Sequence, residues 1–278
     1  MKLREPIGNG AALISDGALK YIEFDCFDSF REELAHCMST RLGGISQGEC
    51  AALNLGFNRK DAKENVRENF NRICASLGVE PESMAFSSQV HETSLRVVTA
   101  ADRGKGFSRD SDIKGVDGLL TDTPGVTLVT FYADCVPLFF YEPGRRAAAL
   151  VHSGWRGTYA NIAGQAVKRM VSAFGCDPSG IVAAIGPSIG RCCFEVGEEV
   201  YGLFAERYTE ASFYTQSGPG KWKVDLQAII KSELASEGLY GKNIHNSGIC
   251  TKCRKDLFFS HRGDHGATGS LAAFMRLR

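Results

Sequence analysis

The sequence has no excess of charge of either sign: Lys and Arg together number 32, and so do Asp and Glu. That balance excludes the global basic field on which binding to nucleic acid or an anionic membrane usually depends, and leaves a small molecule as the expected partner. No apolar run approaches the length of a membrane span. The start, MKLREPIGNGAALISDG, lacks the charged, apolar and small-residue segments of a signal peptide, so a cytoplasmic location is expected. Internal repeats, charge blocks and Ser/Pro/Gly linkers are missing too, and the 278 residues read as one domain, 1–278, with 44% hydrophobic content for a core. Histidine is scarce. Six in all, with no His-x-His pair, disfavour the several histidine-rich centres of a multicopper oxidase.

Cysteine, in contrast, is plentiful at ten, but the residues are scattered over a long chain and two, Cys192 and Cys193, are adjacent. Reduced and mostly buried thiols are the expectation, not a disulfide scaffold. In DAKENVRENFNRICASL, Val66, Phe70, Ile73 and Leu77 recur at helical spacing behind an Asp61 N-cap, with Gly78 just past the end. TYANIAGQAVKRMVSAFG carries a second apolar stripe, through Ile162/Ala163, Ala166/Val167, Met170/Val171 and Phe174, and Gly175 is placed to cap it. Strands are expected at residues 95–99, 126–132, 136–141, 147–151, 181–185 and 257–260, which are rich in β-branched and aromatic residues. Hairpins mixed with helices indicate an α/β layered fold with mixed sheets and flanking helices.

The stretch ADCVPLFFYEPGRRAAALVHSGWRG places a thiol at one end of a hairpin and an imidazole at the other. A tight turn at Pro143-Gly144 would set Cys135 directly opposite His152 on one face, close enough to share a metal ion or a proton. Pro137 cannot donate to the ladder, and a one-residue slip there would put the pair on opposite faces. Cys135 alone reads as a core cysteine and His91, in SSQVHETSLRVV, as a surface histidine. Together with His152 they make two imidazoles and a thiolate, a set that suits zinc with one position open. The same Cys135 and His152 would serve equally well as nucleophile and base of a metal-free cysteine hydrolase. A third possibility is a structural zinc site in which Cys250 and Cys253, a C-x-x-C, join His261 and His265, although the Cys253–His261 interval is shorter than in a zinc finger.

Arg41 in STRLGGISQG and Asn54 in ALNLG lie in a glycine-dense stretch that implies a shaped loop, and GPSIGRCCFEVG raises the same question after the 181–185 strand. Taken in order, STRLGGISQG, ALNLG, SSQVHE, ADCVP, VHSGWRGT, GPSIGRCCFEVG and LFFSHRGDHGATG resemble the YfiH-like laccase-domain family, also called the polyphenol oxidase or purine nucleoside phosphorylase family, from about Ser39 onward. The resemblance implies a single-domain α/β fold of its own type, related to cysteine-hydrolase-like α/β sandwiches. It implies zinc on His91, Cys135 and His152, with copper less favoured. It further implies phosphorolysis of adenosine, inosine, guanosine and methylthioadenosine, with adenosine deamination beside it; the family's older name reflects copper-dependent polyphenol oxidase activity.

Within that reading a guanidinium grips phosphate through two hydrogen bonds, which makes Arg41 the expected catalytic and substrate contact, with Asn54 orienting the same group. Asp134, beside Cys135, is the expected catalytic proton carrier or acceptor for a ligand histidine. The chain departs from the family pattern in two places: Glu92 follows QVH where relatives commonly carry Gly, and the family's TGR reads Thr268-Gly269-Ser270. Partners are expected to be nucleosides and phosphate, not nucleic acid or membrane. The sequence does not choose between monomer and homodimer.

Overall fold

The computed structural model describes residues 2–278. The chain opens with four strands, β1 (Leu3–Ile7), β2 (Ala11–Asp16), β3 (Leu19–Phe24) and β4 (Leu34–Ser39), and then α1 (Lys63–Leu77). Next come β5 (Met84–Phe86), β6 (Leu95–Val97), β7 (Gly118–Thr121), β8 (Thr127–Tyr132), β9 (Val136–Glu142) and β10 (Ala147–Ser153). Two helices follow, α2 (Trp155–Tyr159) and α3 (Ile162–Phe174), then β11 (Val182–Ile185), β12 (Glu195–Gly197) and α4 (Glu198–Arg207). The remainder is β13 (Tyr214–Gly218), β14 (Lys221–Val224), α5 (Leu226–Ser236), β15 (Ile244–Asn246) and β16 (Leu271–Leu277).

Seven strands form one mixed sheet in the order β1-β2-β3-β4-β16-β8-β5, six form a second in the order β15-β11-β9-β10-β7-β6, and β12, β14 and β13 make a small third. Side-chain alternation decides which surface each residue serves. In β9, Phe139 and Tyr141 join the core between the two large sheets, whereas Val136, Leu138 and Phe140 pack with α3 and α5. The outer face of the seven-stranded sheet is covered by α1, whose Val66, Phe70 and Ile73 meet Ile14, Val129 and Phe274. The result is four layers, helix on sheet on sheet on helix. Both faces of the central strands are buried, which accounts for their near-continuous hydrophobic runs.

Several expectations change. The hairpin turn is four residues, Pro143–Arg146, so His152 pairs with Pro137 and not with Cys135. An L-Pro-Gly pair has the wrong twist for a two-residue hairpin loop; here the N–H groups of Gly144 and Arg145 donate to the Glu142 carboxylate, at 3.0 and 2.7 Å, and Arg146 takes a positive φ of 49°. The register moves by two residues, which preserves the face, and Cys135 stays diagonal to His152 on the inter-sheet side. The second helix is broken at Asn161, which adopts φ 56° and caps α3 through its side chain, while Val171 stays exposed. Asp61 does not cap α1. Its carboxylate accepts instead from Ser46, Asn54 and Asn65, and Ala62 occupies the cap position. Residues 257–260 are buried but form no strand: Phe258 N–H turns back to the Arg254 carbonyl and the Leu257 carbonyl accepts from Arg41.

Candidate metal centre

His91, Cys135 and His152 come together with their donor atoms within 4.8 Å of one another. Two of the three belong to the β9–β10 hairpin and the third to the loop before β6. Gly154 closes the side: a Cβ there would stand 3.1 Å from His91 Cδ2 and 3.3 Å from Cys135 Sγ. Its φ of −74° is open to any residue, so glycine is favoured here by crowding against the donors and not by backbone conformation.

Asp117, fully buried immediately before β7, organises the group. Its carboxylate lies 2.9 Å from His152 Nδ1 and accepts the N–H groups of Val90, His91 and Glu92, at 3.2, 2.9 and 3.0 Å. The bond at Nδ1 leaves His152 Nε2 for an ion, and the three N–H bonds hold His91 at φ 65°, a conformation that costs of order 1–3 kcal/mol unless the surroundings fix it. Gln89 pins the same loop to β8 through paired bonds with the Phe131 N–H and carbonyl, at 2.7 and 2.8 Å. Burial pushes the Asp117 carboxyl up, but the His152 hydrogen bond and the loop N–H groups outweigh it and the carboxyl titrates below its usual range. Burial opposes ionisation of Cys135 and His152, yet their mutual attraction prevails. The thiol falls to about 6 and the imidazole rises to about 9, with Asp117 behind it.

A cavity of about 860 Å³ opens on the three donors, with Phe131, Trp155 and Phe194 as flat walls and Arg59, Arg156, Arg262 and His261 also facing it. Two imidazoles and a thiol suit zinc by donor chemistry, and three protein donors leave a position toward the cavity. Asp134 lines the cavity at φ 88°, but its carboxylate accepts from Thr251 Oγ1 at 2.6 Å and Arg262 N–H at 2.7 Å, and the acceptor for a ligand histidine is Asp117. Arg41 and Asn54 are not brought to the cavity. The Arg41 guanidinium donates to the Ala51 and Lys255 carbonyls and lies 4.7 Å from the Phe259 ring centre. Asn54 is spent on Gly56, Asp61 and the Ser270 N–H. His261 and His265 do not join Cys250 and Cys253, whose nearest thiols are Cys192 and Cys193. Asp117 stands in GVDGLL with no motif around it. Its only sequence signal is an acid immediately before a buried strand.

A helix-flanked pair of mixed sheets with a His–Cys–His cluster facing a cavity defines a fold with a metal-competent donor set. The chain belongs to the multi-copper polyphenol oxidoreductase laccase family, which it matches over residues 35–278. Among its relatives is purine nucleoside phosphorylase YlmD of Geobacillus stearothermophilus, 37% identical over 87% of this chain and 89% of that one. Another is purine nucleoside phosphorylase YfiH of Escherichia coli, 32% identical over 88% of this chain and 94% of its own. The crystal structure of the Geobacillus YlmD superposes with a TM-score of 0.88 at 34% identity, covering 95% of this chain and 98% of that one. A Bacillus licheniformis hypothetical protein YfiH also reaches 0.88, at 31% identity over the same shares.

Proposed function

We propose that this chain is a zinc-dependent purine nucleoside phosphorylase acting on adenosine, inosine, guanosine and methylthioadenosine, with adenosine deamination as a second activity. The observation that carries this reading is the His91–Cys135–His152 cluster, braced by Asp117 and opening on a cavity of nucleoside size. Relatives named purine nucleoside phosphorylase support it. A cytoplasmic setting agrees with ten unpaired cysteines. When bound, zinc supplies Lewis acidity, which polarises a substrate oxygen or acidifies water.

The chain's own residues account for the rest. Phe131, Trp155 and Phe194 offer flat apolar faces to a purine and keep water from the sugar. Arg59, Arg156 and Arg262 lack carboxylate partners among the described residues, and Arg59 Nε is buried without a hydrogen bond. Arg262 Nη1 donates to the Glu195 carbonyl, and the remaining guanidinium donors of the three are left to hold phosphate while one of its oxygens bonds to ribose C1′. The C1′–N9 bond breaks, its electron pair leaves with the purine, and the purine takes a proton as ribose 1-phosphate forms. In this reading the phosphate contact expected of Arg41 passes to those three guanidinium groups. Arg41 and Asn54 hold the loop frame, and Asp134 sets the turn that presents Cys135.

Zinc-loaded protein given inosine and phosphate should release free base and ribose 1-phosphate in equal amounts, and no base without phosphate. Base release that ignores phosphate, or none at all, would sink the phosphorylase claim; adenosine that yields no ammonia would sink the deaminase claim. A metal-free cysteine hydrolase is the second reading, favoured by the Cys135–His152 ion pair with Asp117 behind it. An ion that purifies with the protein and is lost specifically in Cys135→Ala excludes it. Copper-dependent phenol oxidation, which the family's description suggests, is tested by assaying copper-loaded protein against a diphenol.

A further inference from the structure

A second cluster of soft donors lies outside this site. Cys192 and Cys193 sit in the loop between β11 and β12, and Cys250 and Cys253 in the turn after β15. Their four sulfurs lie within 4.8 Å of one another, and Cys192 and Cys193 Sγ each stand 3.5 Å from Cys253 Sγ. A disulfide would bring two of them to about 2.05 Å. Four thiolates around one zinc at about 2.3 Å would instead stand about 3.8 Å apart, the edge of a tetrahedron of that radius. The observed spacing fits the second arrangement.

Backbone contacts hold the two loops of the cluster together. Ser188 N–H donates to the Ile249 carbonyl at 3.2 Å and Thr251 N–H to the Ser188 carbonyl at 2.9 Å, which lays the two loops side by side. Gly190 permits the approach, because a Cβ there would stand 3.2 Å from Cys250 Cβ and 3.4 Å from Cys192 Sγ. Its N–H donates to Cys250 Sγ at 3.3 Å, the type of bond that steadies a metal-bound thiolate.

We propose that Cys192, Cys193, Cys250 and Cys253 bind one zinc ion through four thiolates, as a closed structural site separate from the His91 cluster. Four protein donors leave no position for substrate, so the role is to clamp the two loops. That clamp reaches the cavity: Ile189 N–H donates to the Asp134 carbonyl at 2.8 Å and Thr251 Oγ1 to its carboxylate, so the residue before Cys135 hangs from both loops.

Metal content and cobalt spectra test this. Wild-type protein purified from zinc-containing medium without chelator should carry about two zinc ions per chain, Cys135→Ala about one, and Cys192→Ser/Cys253→Ser about one. Cobalt-substituted Cys135→Ala protein should show sulfur-to-cobalt charge transfer and tetrahedral bands. Because that variant leaves the four thiols intact, its spectrum reads the cluster even if the double variant does not fold. A Cys135→Ala protein without zinc or thiolate–cobalt absorption overturns the proposal, as does a disulfide among the four in the native protein. Failure of the His91 site alone gives a different pattern: one ion that survives Cys135→Ala and disappears from the double variant.

Discussion

At the scale of single residues, the site is set by what touches the three donors. Gly154→Ala should keep the fold, because its backbone is ordinary, yet crowd His91 and Cys135. The expected result is at least a tenfold loss of zinc affinity at this site with an unchanged circular dichroism spectrum; unchanged affinity would show that the ring and thiol move aside freely. Asp117→Asn retains the shape but loses the charge that faces His152 Nδ1, and should weaken zinc binding by about 10- to 100-fold, measured by competition with a chromophoric chelator. The clustering of the three donors was legible in the sequence, since the hairpin placed Cys135 and His152 on one face and the motif resemblance added His91. The directly opposed pairing was not, because the turn took two more residues than Pro-Gly suggested. Asp117 was illegible for a different reason: its partners come from a loop and a strand distant in sequence, and no local pattern records them.

Elements are joined by buried polar contacts as well as by apolar faces. Glu233 on α5 hydrogen-bonds the Tyr208 hydroxyl just past α4, while its second carboxyl oxygen is buried without a partner. Burial pushes the Glu233 carboxyl up to about 8. The folded protein then holds this proton at pH values where the unfolded chain has released it, so stability falls as pH rises from about 4.3 to about 8 and levels off above. Glu233→Gln keeps the contact without the charge. It should abolish that slope and raise stability at pH 8 by roughly 2–4 kcal/mol in denaturant titration, and an unaltered slope would place the titration elsewhere. Helical elements with clean stripes were readable, and α1 and α3 both end at glycines with positive φ. The run 257–260 shows the limit of composition. Apolar residues are needed there for burial, and composition cannot tell a buried turn from a buried strand.

For the molecule as a whole, β16 lies between β4 and β8 in the interior of the seven-stranded sheet, with Leu271 to Phe274 on its two buried faces. Removing residues 271–278 should abolish folding, whereas removing the largely exposed edge strand β1 should leave a folded protein. Thermal melts followed by circular dichroism check both, and a single cooperative transition in the full chain is the expected mark of one domain. The layer order itself was only partly legible, because the sequence shows which strands are buried but not which distant strands meet.

The interior place of β16 also orders events in time. While the chain is being synthesised, β4 and β8 are out of the ribosome long before the strand that separates them, and their facing edges stay open until residue 277 emerges. From the emergence of β8 until that of β16 the nascent protein therefore carries two unpaired sheet edges, the interval in which a chaperone or a misplaced strand would engage it.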